Sequence, residues 1–354
     1  MSYKLGNEIE DPWRITFDTN PELCNLHCIM CEGFSHYKNN KVSNISKMSK
    51  TDKTMPIGLL KDVVSNGVEM GNLKEIIPST MGEPLLYHEF DAILRICEEK
   101  NLKLNLTTNG SFPVKEFDQW AKRLLSVSSD IKISFNGVTE HIAEKIMVGL
   151  NSEKQKEKIL KLKEIRDQIF KETGSYCSLT LQPTFLELNY HEITKILEFA
   201  YERGIDRVKG HHVWVQYNEI KELDMRRNQD SKKRWNKLID DLGQLSKNFE
   251  EKYGRKVKLD NFYSINEKNN YELIPEDYEC PFLGKEAWIA WNGTFSPCCA
   301  PDELRKELGD FGTVYDRTLE EIWTSDQYRI LFDNYRDYNV CQKCNMRKPR
   351  EDLK

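Results

Sequence analysis

The chain lacks a long apolar run: none of its 354 residues belongs to a stretch approaching the roughly 18 consecutive apolar residues that a membrane-crossing helix needs. It also lacks a surplus of basic charge, with Lys+Arg 52 against Asp+Glu 57 and a formal net charge of −5. A mildly acidic chain without long single-sign blocks is a poor match for a nucleic-acid backbone, which calls for a basic domain or stripe. The opening Met-Ser-Tyr-Lys-Leu-Gly-Asn-Glu lacks the charged-then-apolar layout of a secretory signal. Low-complexity tracts are missing too. The expectation is a cytoplasmic protein with neither nucleic acid nor membrane among its partners, long enough for two domains or one large one with an appendage.

Cysteine, by contrast, is plentiful: there are ten, and they cluster. In a reducing cytosol, clustered cysteines point to metal or catalysis rather than disulfides. Cys24, Cys28 and Cys31 form one knot, and Cys280, Cys298, Cys299, Cys341 and Cys344 another. Cys97 and Cys177 stand alone and read as core residues, Cys97 among Ile93, Leu94 and Ile96.

Between the knots, short β-rich runs alternate with helical stretches. The runs cover 13–19, 74–80, 102–109, 130–136, 176–184 and 206–215. The stretches FDAILRI, EFDQWAKRLL and ITKILEFAYERG carry apolar residues at helical spacing, the last ending in a Gly204 cap. Six strand–helix units in series predict an α/β fold with a parallel sheet. They are too few for a closed eight-fold barrel, so a partial (β/α)6 TIM-like barrel is expected, with its chemistry at the C-terminal strand ends. Residues 32–55 form a polar interruption, readable as a solvated insertion or as a lid. The expected division is a barrel over 10–218, a charged helical bridge over 219–279 and a small Cys-rich domain over 280–354.

The first knot has the spacing Cys24-x3-Cys28-x2-Cys31, directly after the first strand. Three thiolates this close can hold an iron–sulfur cluster with one iron left open. They can also hold zinc, with His27 or His36 as fourth ligand. Position favours the cluster, because the loop after the first strand faces the active-site end of a barrel.

This motif, followed by six βα units, resembles the radical S-adenosylmethionine (SAM) family, and the resemblance runs from residue 13 to about 345. It implies that Cys24, Cys28 and Cys31 bind a 4Fe–4S cluster whose fourth iron is chelated by SAM. Before the last cysteine the family often has an aromatic residue, where this chain has Met30. Gly82, Glu83 and Pro84 resemble the family's GGEP segment, with Met81 in place of its first glycine. Thr108 and Asn109 in Thr-Thr-Asn-Gly, and Ser134 and Asn136 in Ser-Phe-Asn-Gly, resemble the segments that follow strands three and four. The resemblance makes all of these SAM contacts. It also implies reductive cleavage of SAM to a 5′-deoxyadenosyl radical that abstracts a substrate hydrogen, with an electron donor such as flavodoxin or ferredoxin. Such chemistry accounts for the absence of a Ser/His/Asp or paired-carboxylate signature.

The second knot, Cys280-x17-Cys298 containing Gly293-x4-Cys298 and then Cys341-x2-Cys344, resembles the SPASM/twitch extensions of that family. Four cysteines fit the shorter twitch form, which implies Cys280, Cys298, Cys341 and Cys344 as ligands of one auxiliary 4Fe–4S cluster. A zinc ribbon held by the same four cysteines is the alternative. Ile322, Trp323 and Leu331 are expected over the cluster. Cys299 is left beside a ligand, readable as a passive neighbour, as a thiol contacting the cluster shell, or as a thiol that donates a hydrogen atom to a substrate radical.

His211, His212, Trp214 and Tyr217 close strand six, and Gln182 and Thr184 close strand five. His212 is a candidate base, as are Asp260, Tyr263 and Glu187. With 23 residues before Cys24, no leader-binding domain of the kind peptide-modifying relatives carry is expected. Together with a single auxiliary cluster, suited to accept the second electron, this resembles the alcohol- and aminocyclitol-oxidising members with twitch domains and implies oxidation of a small polyol, sugar or aminocyclitol. Modification of a ribosomal peptide by crosslinking, oxidation or epimerisation is the second reading. A non-catalytic zinc scaffold is the reading from a different class.

Overall fold

The computed structural model describes residues 9–35, 37, 53–79, 81–114, 116–265, 274, 277–344 and 346–349. Most of the expected insertion or lid, and His36 with it, lies outside these residues.

The strands are β1 (Arg14–Phe17), β2 (Glu75–Ile77), β3 (Lys103–Thr108), β4 (Ser128–Ser134), β5 (Ser178–Gln182), β6 (Thr184–Phe185), β7 (Arg207–Lys209), β8 (His211–His212), β9 (Lys258–Asp260), β10 (Tyr278–Glu279), β11 (Glu286–Ile289), β12 (Phe295–Ser296) and β13 (Lys348–Pro349). The helices are α1 (Ile57–Met70), α2 (Phe90–Lys100), α3 (Phe117–Val127), α4 (Glu140–Ile146), α5 (Ser152–Thr173), α6 (Ile193–Arg203), α7 (Gln229–Tyr253), α8 (Asp302–Arg305), α9 (Leu319–Trp323), α10 (Asp326–Asn334) and α11 (Asn339–Gln342). The chain divides into two compact units, one of segments 1–23, 50–105 and 272–354, the other of segments 24–49 and 106–271.

In the first unit β1 lies parallel between β2 and β11, with Ile15 flanked by Ile76 and Ala287. All three side chains are fully buried, as strands covered on both faces require. Gly67 lets α1 close on this sheet, since a Cβ there would stand 2.7 Å from Ile15 Cδ1. At the N-terminal strand ends Arg14 bridges Glu286 and Glu75, and Asn105 donates to Glu75 at 3.0 Å. Strand β11 was not among the six runs read from sequence: Glu-Ala-Trp-Ile is short, and only its pairing with β1 defines it. Farther along, a Thr318 capping box starts α9, and Trp323 stacks on Tyr328 with ring centroids 4.7 Å apart.

In the second unit β4, β5, β7 and β9 run parallel in that order. Buried Leu179, Leu181, Ile131, Ile133 and Val208 build its core. α5 starts at Asn151, whose side chain accepts from Lys154 N, and α6 ends at Gly204 with φ of 70°, as the sequence predicts. The expected charged helix forms as α7 and buries Trp235, Leu238 and Leu242. Cys97 and Cys177 are core residues, at 1% and 2% exposure. No described helix is long and apolar enough to cross a membrane.

Candidate active site

The first cysteine knot sits on an irregular loop of the second unit. Its backbone is tied to the segment around the end of α4, His27 N donating to Val148 O at 2.8 Å and Ile29 N to Ile146 O at 2.9 Å. Leu26 and Ile29 anchor the loop in an apolar cluster with Ala143, Ile146, Met147 and Leu186, and Cys24, Cys28 and Met30 lean on the same cluster. Met30 thus fills apolar space beside the thiols, as a soft unbranched side chain can. Tyr217 donates its hydroxyl to Ile29 O, and burial pushes its pKa up to about 12.

Around Cys24 the donors are amides. Leu26 N lies 3.5 Å from its sulfur and Asn109 Nδ2 3.9 Å, and Asn109 Nδ2 also bonds Asn25 Oδ1 at 2.8 Å. His27 Nδ1 lies 3.2 Å from Phe34 O. Among the described residues no three His, Cys, Asp or Glu side chains converge on a point that one metal ion could occupy. A polynuclear cluster puts each thiolate on a different iron, so its thiols need not converge. Three half-buried thiols outside any disulfide, Cys24 and Cys28 against an apolar wall and Cys24 with amide donors, fit that group.

Gly82, Glu83 and Pro84 belong to the first unit, and the turn they form is tightly held. Gly82 has φ of 72°, and a Cβ on it would meet Asn20 O at 2.3 Å and Leu23 O at 2.7 Å, so only glycine fits. Asn20 Nδ2 donates to Glu83 O, and Glu83 N to Leu23 O, both at 2.8 Å. Leu23 is the residue before Cys24 in the chain. Pro84 then begins a single 3-10 turn, its fixed φ suited to the first position. Met81, where the family has glycine, is fixed through its N–H to Asp18 Oδ1 at 3.2 Å.

In the second unit the ends of β3 and β4 are stitched together. Gln155, near the start of α5, donates to Asn109 O at 2.7 Å and to Ser134 O at 2.9 Å. Thr108 Oγ1 accepts from Gly110 N at 3.3 Å. Asn136 Oδ1 accepts from Thr184 N at 2.8 Å, while its buried Nδ2 has no hydrogen-bond partner among the described residues. A buried unmatched donor is costly and suits a ligand rich in acceptors, as the carboxylate and ribose of SAM are. Asn189 bonds Asn136 O and Thr184 O, and Glu192 takes the N–H groups of Val138 and Thr139. Gln155, Asn189, Glu192 and Asn20 escaped the sequence reading. Nothing local marks them; each acts on backbone brought close only by folding.

The second knot lines a cavity in the first unit that is partly open to solvent. Cys280, Cys298, Cys299, Cys341 and Cys344 all line it. The rest of the wall is mainly apolar, with Leu283, Leu331 and Tyr335 prominent, and with the guanidinium-bearing Arg347. Burial pushes all five thiols up, Cys298 to about 11 and Cys344 to about 12. Such thiols become thiolates when a metal replaces the proton. A thiol-lined apolar cavity fits an iron–sulfur cluster. Leu331 lines it as expected, whereas Trp323 packs on Tyr328.

His212 lies in an aromatic nest, its ring centroid 5.3 Å from that of Phe185 and 4.7 Å from that of Trp235. Phe185 covers Gly210, where a Cβ would fall 2.0 Å from the ring. Burial pushes His211 down to about 4 and His212 well below its ordinary value, so both are neutral imidazoles near pH 7. Asp260 is paired with Arg207 and Lys258, and Glu187 with Arg227 and Arg234.

The sequence profile of the radical SAM superfamily matches residues 21–200. That of the SPASM iron–sulfur cluster-binding domain matches residues 280–345. The cofactor-modifying protein of the tungsten-containing aldehyde ferredoxin oxidoreductase of Pyrococcus furiosus is 23% identical over 92% of this chain and 85% of that protein. Streptococcus suis SuiB, solved with S-adenosylmethionine, is 16% identical, covering 94% of this chain and 72% of its own with a TM-score of 0.63. anSMEcpe with bound S-adenosylmethionine is 17% identical over 90% of this chain and 79% of its own, with a TM-score of 0.61. The fold is the partial TIM-type barrel with a C-terminal SPASM domain, and these domains bring 4Fe–4S clusters and SAM as cofactors.

Proposed function

The chain belongs to the radical SAM superfamily, and from that premise we propose that Cys24, Cys28 and Cys31 hold its SAM-binding 4Fe–4S cluster and that Cys280, Cys298, Cys341 and Cys344 hold an auxiliary one. With these groups bound, reductive cleavage of SAM supplies a 5′-deoxyadenosyl radical that removes a substrate hydrogen, and the auxiliary cluster supplies an electron acceptor. The protein's share is positioning. In the first unit Gly82, Glu83 and Pro84 would hold the SAM ammonium through the Glu83 carboxylate and the turn's backbone. In the second unit Asn136, through its unmatched Nδ2, and Thr108, Asn109 and Ser134 would be SAM contacts. The apolar cluster behind the cysteine loop keeps water from that side. His212, in its aromatic nest on β8, is the proposed acceptor of the substrate proton.

The substrate in this reading is a small hydroxylated molecule that undergoes a two-electron oxidation, with flavodoxin or ferredoxin as electron donor in the cytoplasm. Support comes from the P. furiosus relative, whose name describes modification of a cofactor. A peptide substrate is the second reading, supported by SuiB solved with its precursor peptide and by anSMEcpe solved with peptides. The observation that carries the proposal is the thiol triad on a loop anchored in an apolar cluster, with Cys24 and Cys28 packed on that cluster and Asn109 at Cys24. The test is anaerobic reconstitution, reduction and chromatography for 5′-deoxyadenosine. The cleavage is expected to vanish when the triad is replaced by alanine; an intact triad that leaves SAM whole under strong reductant overturns it. Deuterium transfer from labelled polyols, sugars or peptides into 5′-deoxyadenosine then separates the two substrates.

A further inference from the structure

The C-terminal cavity holds five thiols, and a four-iron cluster takes four. Cys280 lies at the turn before β11, with Leu283 N 3.4 Å from its sulfur. Cys341 is on α11, and Cys344 follows it. The surplus therefore lies with the adjacent pair Cys298 and Cys299. In an extended strand consecutive side chains point to opposite faces. Here the chain bends after β12, and Arg305 Nη1 clamps the bend by donating to Cys298 O and Ala300 O, both at 3.0 Å. Both thiols consequently face the same cavity.

We propose that Cys298 and Cys299 are interchangeable ligands of a single iron corner, making the auxiliary centre a five-thiol site. The exchange is redox-neutral: one iron–sulfur bond breaks as another forms, and the proton of the incoming thiol passes to the departing thiolate. Cys299 on this reading is a reserve ligand rather than a hydrogen-atom donor. The inference rests on the assignment of an auxiliary cluster to this cavity.

Iron and sulfide content after anaerobic reconstitution, with electron paramagnetic resonance of the reduced protein, tests it. The unaltered chain is expected to carry about eight irons, two clusters of four. Cys298→Ala and Cys299→Ala each keep about eight, with a shifted auxiliary signal for Cys298→Ala, while Cys298→Ala/Cys299→Ala and Cys280→Ala fall to about four. A Cys298→Ala chain that holds about four irons or is insoluble overturns the proposal, as does a double variant that keeps about eight. An unaltered chain with only about four irons and an active triad sinks the auxiliary assignment itself, a separate outcome.

Discussion

The two cysteine regions solve different problems. Cys24, Cys28 and Cys31 are half-buried on an irregular loop, Cys24 with amide donors from Leu26 and Asn109, and Cys24 and Cys28 against an apolar cluster. The five C-terminal cysteines face a ready-made cavity whose wall is mainly apolar. A centre with one open iron must leave room and polar partners for the ligand that completes it. A centre ligated entirely by protein needs a closed thiol shell. On the proposed ligand sets, a three-thiol loop with polar neighbours and a five-thiol cavity suit that division of labour.

The comparison breaks most completely at the first triad. Cys28→Ala is expected to lower 5′-deoxyadenosine formation by more than about 1,000-fold, whereas Cys280→Ala retains uncoupled cleavage within about tenfold, both read by chromatography. Equal losses would erase the distinction between the two regions. Gly82→Ala comes next: a Cβ 2.3 Å from Asn20 O at a positive φ is expected to destabilise the chain by about 3 kcal/mol in denaturant unfolding.

A smaller effect sharpens the polar side of the first region. Gln155→Leu leaves Asn109 O and Ser134 O without their donor and is expected to raise the KM for SAM about tenfold, about 1.4 kcal/mol, with iron content unchanged. Loss of iron instead would make Gln155 a purely structural residue. The smallest effect concerns Glu192. Burial alone would raise its pKa, but Lys195 and the Thr139 and Val138 amides outweigh this and hold the carboxyl below its ordinary value. A depressed carboxylate contributes stability that is complete above its unfolded value of about 4.3 and lost as pH falls through the lower folded value. Glu192→Gln is therefore expected to cost about 1.5 kcal/mol near neutral pH, with the gap to the unaltered chain closing in acid.

Much of this was legible in the sequence because its signals are local. The run 130–136 and the helical spacing of 193–203 carry their periodicity in neighbouring residues, and β4 and α6 lie there. Cys24-x3-Cys28-x2-Cys31 is legible for the same reason. Strand β11 was not, because four residues become a strand only when β1 supplies the partner. The short β9 was likewise hidden in a charged segment and is defined by β7. Gln155, Asn189 and Glu192 were invisible, since a buried amide or carboxylate has no sequence mark until the carbonyls and N–H groups it serves are in place.

What the amino-acid order determined alone was the chemistry available: which thiols exist, how closely they are spaced, and the alternation of strand and helix that makes a parallel sheet. Tertiary structure decided which thiols share a cavity, so that Cys299 joins Cys298 inside it and Asn109 comes to Cys24 from 85 positions along the chain. The reason is range: periodicity and spacing act over a few residues, whereas a cavity wall or a buried hydrogen bond needs partners that only the packed chain brings together.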